Sequence, residues 1–172
     1  CIRDRFLRII DLANEYTGKA ARWVALGMIF ATTYEVFARY FFNAPTQWAH
    51  QTVMILGGVL VALSWGWVLL HRGHIGLDVI YRRLSPRQQA VIDLAGYLLL
   101  FFPLIGLLAY VSYDWMMDSW AVDEKWTVSY WKPPMWPCRA VLTFGFILLF
   151  FQGLAHFIRD ISFLRAPKGE LK

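Results

Sequence analysis

Glu35 and Arg39 are the first residues of this chain that could do chemistry, because they stand four apart inside an otherwise apolar run. An ionisable group at membrane depth is costly and marks a functional candidate. On a helix this spacing puts both on one face, where they can pair. Two roles follow: a structural ion pair with Arg39 reaching toward headgroups, or a contact with a partner or lipid. A proton relay or substrate path needs several such groups across the membrane depth, and the mid-span sequence is bare of them. Histidines offer a second chemistry. Haem or metal held between helices needs ligands on facing helices at matching depth. His71 or His74 with His156 satisfies that, which supports a four-helix redox or cytochrome-like subunit as the alternative reading; His50 falls at the opposite end. The cysteines, Cys1 and Cys138, are predicted on opposite sides of the membrane and do not pair. The sequence shows no His–Cys cluster with metal spacing, no nucleophile–base pattern and no Gly-rich phosphate loop, so it carries no enzyme signature.

The elements that position these residues follow from hydropathy. A chain of 172 residues that is 58% hydrophobic and 17% aromatic is too apolar for an ordinary soluble domain. Apolar stretches at 20–42, 49–70, 90–113 and 138–158 are each long enough to cross a bilayer core as a helix. The fold class is therefore all-α: one membrane domain over 1–172 with four transmembrane helices. Thirteen of the seventeen Lys and Arg residues, counting Arg22 at the very start of the first stretch, lie before the first stretch, between the second and third, or after the fourth. Those segments share one side after four crossings, and basic residues near span ends favour the cytoplasm. Both termini are predicted inside. The net charge of +5 fits anionic lipid at span ends better than nucleic acid. The arginines near Cys1 oppose an outside, lipidated N-terminus, and no charged–apolar–small signal pattern precedes the first span.

Residues 1–19 read as an amphipathic interfacial helix, with Phe6, Ile9, Ile10 and Ala13 between Arg3, Arg5, Arg8 and Asp11, joined loosely to the first span at Gly18. A cytoplasmic extension of the first span is the other reading. Asn43-Ala44-Pro45-Thr46 predicts a tight turn, with Trp48 at the outer interface. Gly58, Ala62 and Gly66 form a small-residue stripe suited to close helix contact, either within the chain or with a partner. The inner loop from His71 to Leu84 predicts a short interfacial helix. Ser85-Pro86 predicts the start of the third helix, and Pro103 a kink within it. The loop 114–137 holds five tryptophans and predicts an ordered outer cap.

These features together resemble the small membrane subunit (DctQ-like) of tripartite ATP-independent periplasmic (TRAP) transporters. The resemblance rests on Arg39-Tyr40-Phe41-Phe42-Asn43-Ala44-Pro45 followed by Trp48; on Gly57-Gly58, then Arg72-Gly73-His74-Ile75 and Asp78; and on Pro134-x-Trp136-Pro137-x-Arg139 with Gln152 beyond. His50-Gln51 stands where the family usually has acidic residues. The resemblance implies a non-catalytic subunit in the inner membrane of a bacterial cell, with both termini cytoplasmic and the Trp-rich loop in the periplasm, and without a cofactor or substrate site of its own. It scaffolds a large polytopic DctM-like subunit that binds sodium and substrate and moves as an elevator. It also helps receive a DctP-like periplasmic binding protein carrying an organic acid, a carboxylate such as a C4-dicarboxylate. Membrane phospholipids are further partners, and the polar tail is the pattern of a subunit separate from the large one. The expected partner or lipid interface comprises Glu35, Arg39, Trp48, Gly58, Ala62, Gly66, Arg72, His74 and Asp78. The expected docking residues for the binding protein are Asp118, Asp123, Glu124, Lys125 and Lys132.

Overall fold

The computed structural model describes residues 2–71, 85–127 and 132–165. Four helical rods account for nearly all of them. Helix α1 spans Ile2–Phe41 and α2 spans Gln47–Leu70. The third rod is composite: α3 (Pro86–Gly96), a π turn (Tyr97–Phe101) and α4 (Phe102–Ala121). Helix α5 spans Trp136–Arg165. Three of the rods, over Trp48–Leu70, Arg87–Ala121 and Trp136–Leu164, are long and apolar enough to cross a membrane. Helix α1 is a less apolar rod, because Thr32, Thr33, Glu35 and Arg39 interrupt its hydrophobic run.

The rods alternate in direction, and α5 is the hub. It packs against α2, α1 and all three parts of the composite rod, while α1 lies mainly along α2. The flanks are left open: Phe30, Phe37 and Tyr40 on α1, and Leu99, Leu100 and Leu107 on the third rod, are all more than half exposed. Contiguous apolar surface of this extent requires a lipid or protein neighbour.

The third rod begins as its sequence predicts. Ser85 caps α3: its side chain accepts from the Gln88 N–H, and the Gln88 side chain accepts from the Ser85 N–H at 3.0 Å. Pro103 removes one backbone donor from the rod, and the turn before it widens to π, with the Phe102 N–H donating to the Tyr97 carbonyl. The 35 residues of Arg87–Ala121 extend for about 50 Å. That exceeds a hydrocarbon core of about 30 Å, so the rod tilts or projects.

Two expectations change. Helix α1 runs without a break through Gly18. A Cβ at Gly18 would stand 2.2 Å from the Trp67 ring, so the glycine admits Trp67 of α2 rather than loosening a joint. The loop between the third and fourth rods is also shorter than 114–137, since α4 stays helical to Ala121.

Candidate functional site

At the end of the bundle where α1 turns into α2, Glu35 closes the hairpin. Glu35 is buried, and its Oε1 accepts from Arg39 at 2.6 Å. Its Oε2 accepts the Thr46 N–H at 3.0 Å and also the Thr46 hydroxyl. Thr46 is the N-cap of α2, so a carboxylate on α1 satisfies a donor at the start of the next helix. Asn43 takes a left-handed φ of 50° in the turn, and the Ala44 N–H returns to the Ala38 carbonyl. Trp48 packs on Tyr34 with ring centroids 5.6 Å apart. Arg39 remains more than half exposed, so its outer edge is open to lipid or protein.

At the opposite end, polar side chains join α1 to α5. Asn14 and Gln152 are fully buried, and the Asn14 amide donates to Gln152 Oε1 at 2.7 Å and to the Ile10 carbonyl at 3.1 Å. The Gln152 amide donates to Asp11 Oδ1 at 3.2 Å, and Arg159 pairs with Asp11 Oδ2. Leu7 and Ile10 pack with Ala155 and Ile158 beside this chain of bonds. A Cβ at Gly66 would fall 1.8 Å from Asn14 Oδ1, so Gly66 of α2 makes room for the buried amide. Glu15 pairs with Lys19 at 3.4 Å and lies 3.8 Å from His71 Nε2.

The cap between α4 and α5 is built around Glu124 and Arg139. Arg139 reaches both carboxylate oxygens of Glu124, at 3.0 and 2.9 Å, and donates to the Trp115 carbonyl at 3.1 Å. Its guanidinium also lies 5.5 Å from the Trp115 ring. The buried Ser119 hydroxyl donates to Glu124 at 2.7 Å. The chain crosses itself beyond this point: Met135 N–H donates to Glu124 O, and Trp126 N–H to Pro133 O. Trp120 packs on Trp136 at 4.8 Å. Asp123 takes a φ of 46°, and its exposed carboxylate pairs with Lys125 at 3.1 Å.

With that geometry in place the predicted site residues separate. Glu35 and Arg39 meet, as their spacing requires, with Trp48 close by on the same hairpin. Ala62 and Gly66 face inward and pack within the chain. The reason is steric: Gly145 brings α5 so near that its Cβ would stand 2.7 Å from the Ala62 carbonyl oxygen. Gly58 has open space where its Cβ would be and stays available to a neighbour. Arg72, His74 and Asp78 lie outside the described residues. Among the docking candidates, Asp118, Asp123, Lys125 and Lys132 are exposed, whereas Glu124 is spent on Arg139 and Ser119.

Residues 28–163 match the family described as tripartite ATP-independent periplasmic transporters, DctQ component. The chain belongs to the DctQ family. No curated protein matches it. The match spans α2, the third rod and most of α5, and it includes Glu35, Arg39, Glu124, Arg139, Gln152 and Arg159. DctQ components are non-catalytic transporter subunits, and this one is a multi-pass membrane protein. Membership decides against the redox reading built on His71, His74 and His156. The structure gives His71 other company, with its ring 4.4 Å from Trp67 and its Nδ1 3.0 Å from the Trp67 carbonyl. His156 is buried on α5, and His74 lies outside the described residues.

Sequence reasoning missed Asn14, Asp11, Gln152 and Arg159 as one unit, and Arg139 as the centre of the cap. The available signals were a fully polar Asn14 in register with Leu7 and Ile10, and a basic Arg139 at the acidic, outer end of a span.

Proposed function

We propose that this DctQ component is the fixed scaffold subunit of a TRAP transporter. Its binding partner in the membrane is a large DctM-like subunit, which carries the sodium and substrate sites and moves against the scaffold. Its partner outside is a DctP-like binding protein that delivers an organic acid. The observation that carries this reading is where the polar side chains go. Glu35, Asp11, Asn14, Gln152 and Arg159 are spent on joining helices of the same chain, and Arg39 pairs with Glu35 on its own helix. The remaining lateral surface is aliphatic and aromatic, as an anchored, immobile element requires. In the working transporter α1 is the fourth crossing, with both termini cytoplasmic and the cap in the periplasm. Lipid covers the flanks not taken by the large subunit.

Purification of the tagged chain from its native membranes in mild detergent is expected to bring down one large polytopic protein in stoichiometric amount. The chain alone in liposomes is expected to move no solute. Uptake by the chain alone, or elution without a partner, rejects the scaffold role. Orientation has its own test. A membrane-impermeant maleimide added to intact spheroplasts should label Lys132→Cys and spare Ser85→Cys, both at exposed positions. The reverse pattern would turn the protein over and put the cap in the cytoplasm.

A further inference from the structure

We propose that Arg139 is a positioning residue for binding-protein docking: it clamps the outer cap into the shape that presents Asp118, Asp123, Lys125 and Lys132. This rests on the reading of the cap as the docking surface. Arg139 itself presents little to solvent, with 22% of its side chain exposed. Its guanidinium instead gathers three separate pieces of the chain. It holds Glu124 through both carboxylate oxygens, the last turns of α4 through the Trp115 carbonyl, and its own helix start. A planar fork of donors suits this task, whereas an ammonium cannot span the two carboxylate oxygens and a carbonyl together. Glu124 passes the constraint on. Its second acceptor site takes the buried Ser119 hydroxyl, and its backbone carbonyl takes the Met135 N–H. The residues on either side are thereby fixed: Asp123 in its left-handed turn, and Lys125 opposite Pro134. The exposed charges of the cap are thus mounted on a frame that Arg139 helps hold together. The frame is preorganised, which lowers the ordering cost of association.

The test uses the complete complex of this chain with its large subunit in lipid nanodiscs. Its cognate binding protein, fluorescently labelled, is titrated onto it. Arg139→Gln should weaken binding about tenfold, equivalent to about 1.4 kcal/mol, without changing the amount of complex recovered. Arg139→Lys should restore part of the loss. Trypsin cleavage after Lys125 should rise in Arg139→Gln, reporting the released cap directly. Wild-type affinity for Arg139→Gln alongside weakened binding by Asp118→Lys or Lys132→Glu would overturn the clamp and leave the docking surface standing. Wild-type affinity for all of these variants would reject the docking surface itself. Loss of the complex, or unchanged cleavage, would also overturn the proposal, since Arg139 would then serve assembly or nothing measurable.

Discussion

Gly145→Ala should destabilise the bundle by about 1–3 kcal/mol, while Gly58→Ala should leave it unchanged or raise its stability by up to about 1 kcal/mol. Both glycines lie in membrane helices, and both substitutions add one methyl group. At Gly145 the new carbon would stand 2.7 Å from the Ala62 carbonyl oxygen and 3.1 Å from its carbonyl carbon. Those are backbone atoms of α2, so no side-chain rotation relieves the clash and two helices must move apart. Helix association in lipid depends on packing rather than on expulsion of water, so the lost contact is not regained elsewhere. At Gly58 nothing lies within 4 Å of the added carbon, and alanine simply favours the helix. Thermal unfolding of the purified chain in one detergent, with both variants measured side by side, reads the difference. Equal shifts would mean that Gly145 does not bring α5 against the Ala62 backbone.

Hydropathy and turn chemistry made most of the fold legible. The stretch 49–70 became α2 at Gln47–Leu70, and Ser85-Pro86 opened α3 with the cap its residue types require. Those features are local, since a run of apolar residues or a capping serine acts within a few positions. Pro103 was read as a kink, and the chain absorbs it through the π turn before it. The stripe of Gly58, Ala62 and Gly66 shows where spacing stops being informative. One face carries three small residues, yet two pack inside the chain and one opens outward. Only the paths of α1 and α5 decide between them. The same holds for Gly18, which a sequence reads as a hinge and the bundle uses as the seat of Trp67.

The polar contacts divide along the same line. Glu35 with Arg39 was readable because the partners are four residues apart. Asn14 with Gln152, Asp11 with Arg159, and Glu124 with Arg139 join residues far apart in the sequence, and no periodicity encodes such pairs. A buried polar residue must find a partner, so Asn14 and Gln152 in apolar registers pose the question even where they cannot answer it. Their bonding ties the first half of α1 to α5. A helix that would otherwise lie loosely at the membrane surface becomes part of the rigid body.

Glu35→Leu should cost about 2–3 kcal/mol, more than any other substitution in the α1–α2 hairpin. The carboxylate has three donors to lose: the Arg39 guanidinium, the Thr46 N–H and the Thr46 hydroxyl. Leaving a buried donor unsatisfied costs about 1–3 kcal/mol, and an abandoned charge at depth adds to that. Arg39 is more than half exposed, so part of its share is recovered from headgroups or water, and the full penalty of a buried broken pair does not apply. Glu35→Gln keeps an acceptor for Thr46 and should cost less than half as much. The double variant Glu35→Leu/Arg39→Leu removes the orphaned charge and should regain most of the stability that the Arg39 share represents. Unfolding midpoints of the isolated chain order these variants, and a double variant no better than Glu35→Leu would show that Thr46, not Arg39, carries the contact. The same double variant also separates the two roles open to Arg39. If Arg39 serves only Glu35, a chain lacking both should still recover its large subunit in full. If its exposed edge meets that subunit, recovery should fall although the hairpin is stable, and the outer half of α1 would then be a face on which the transporter assembles.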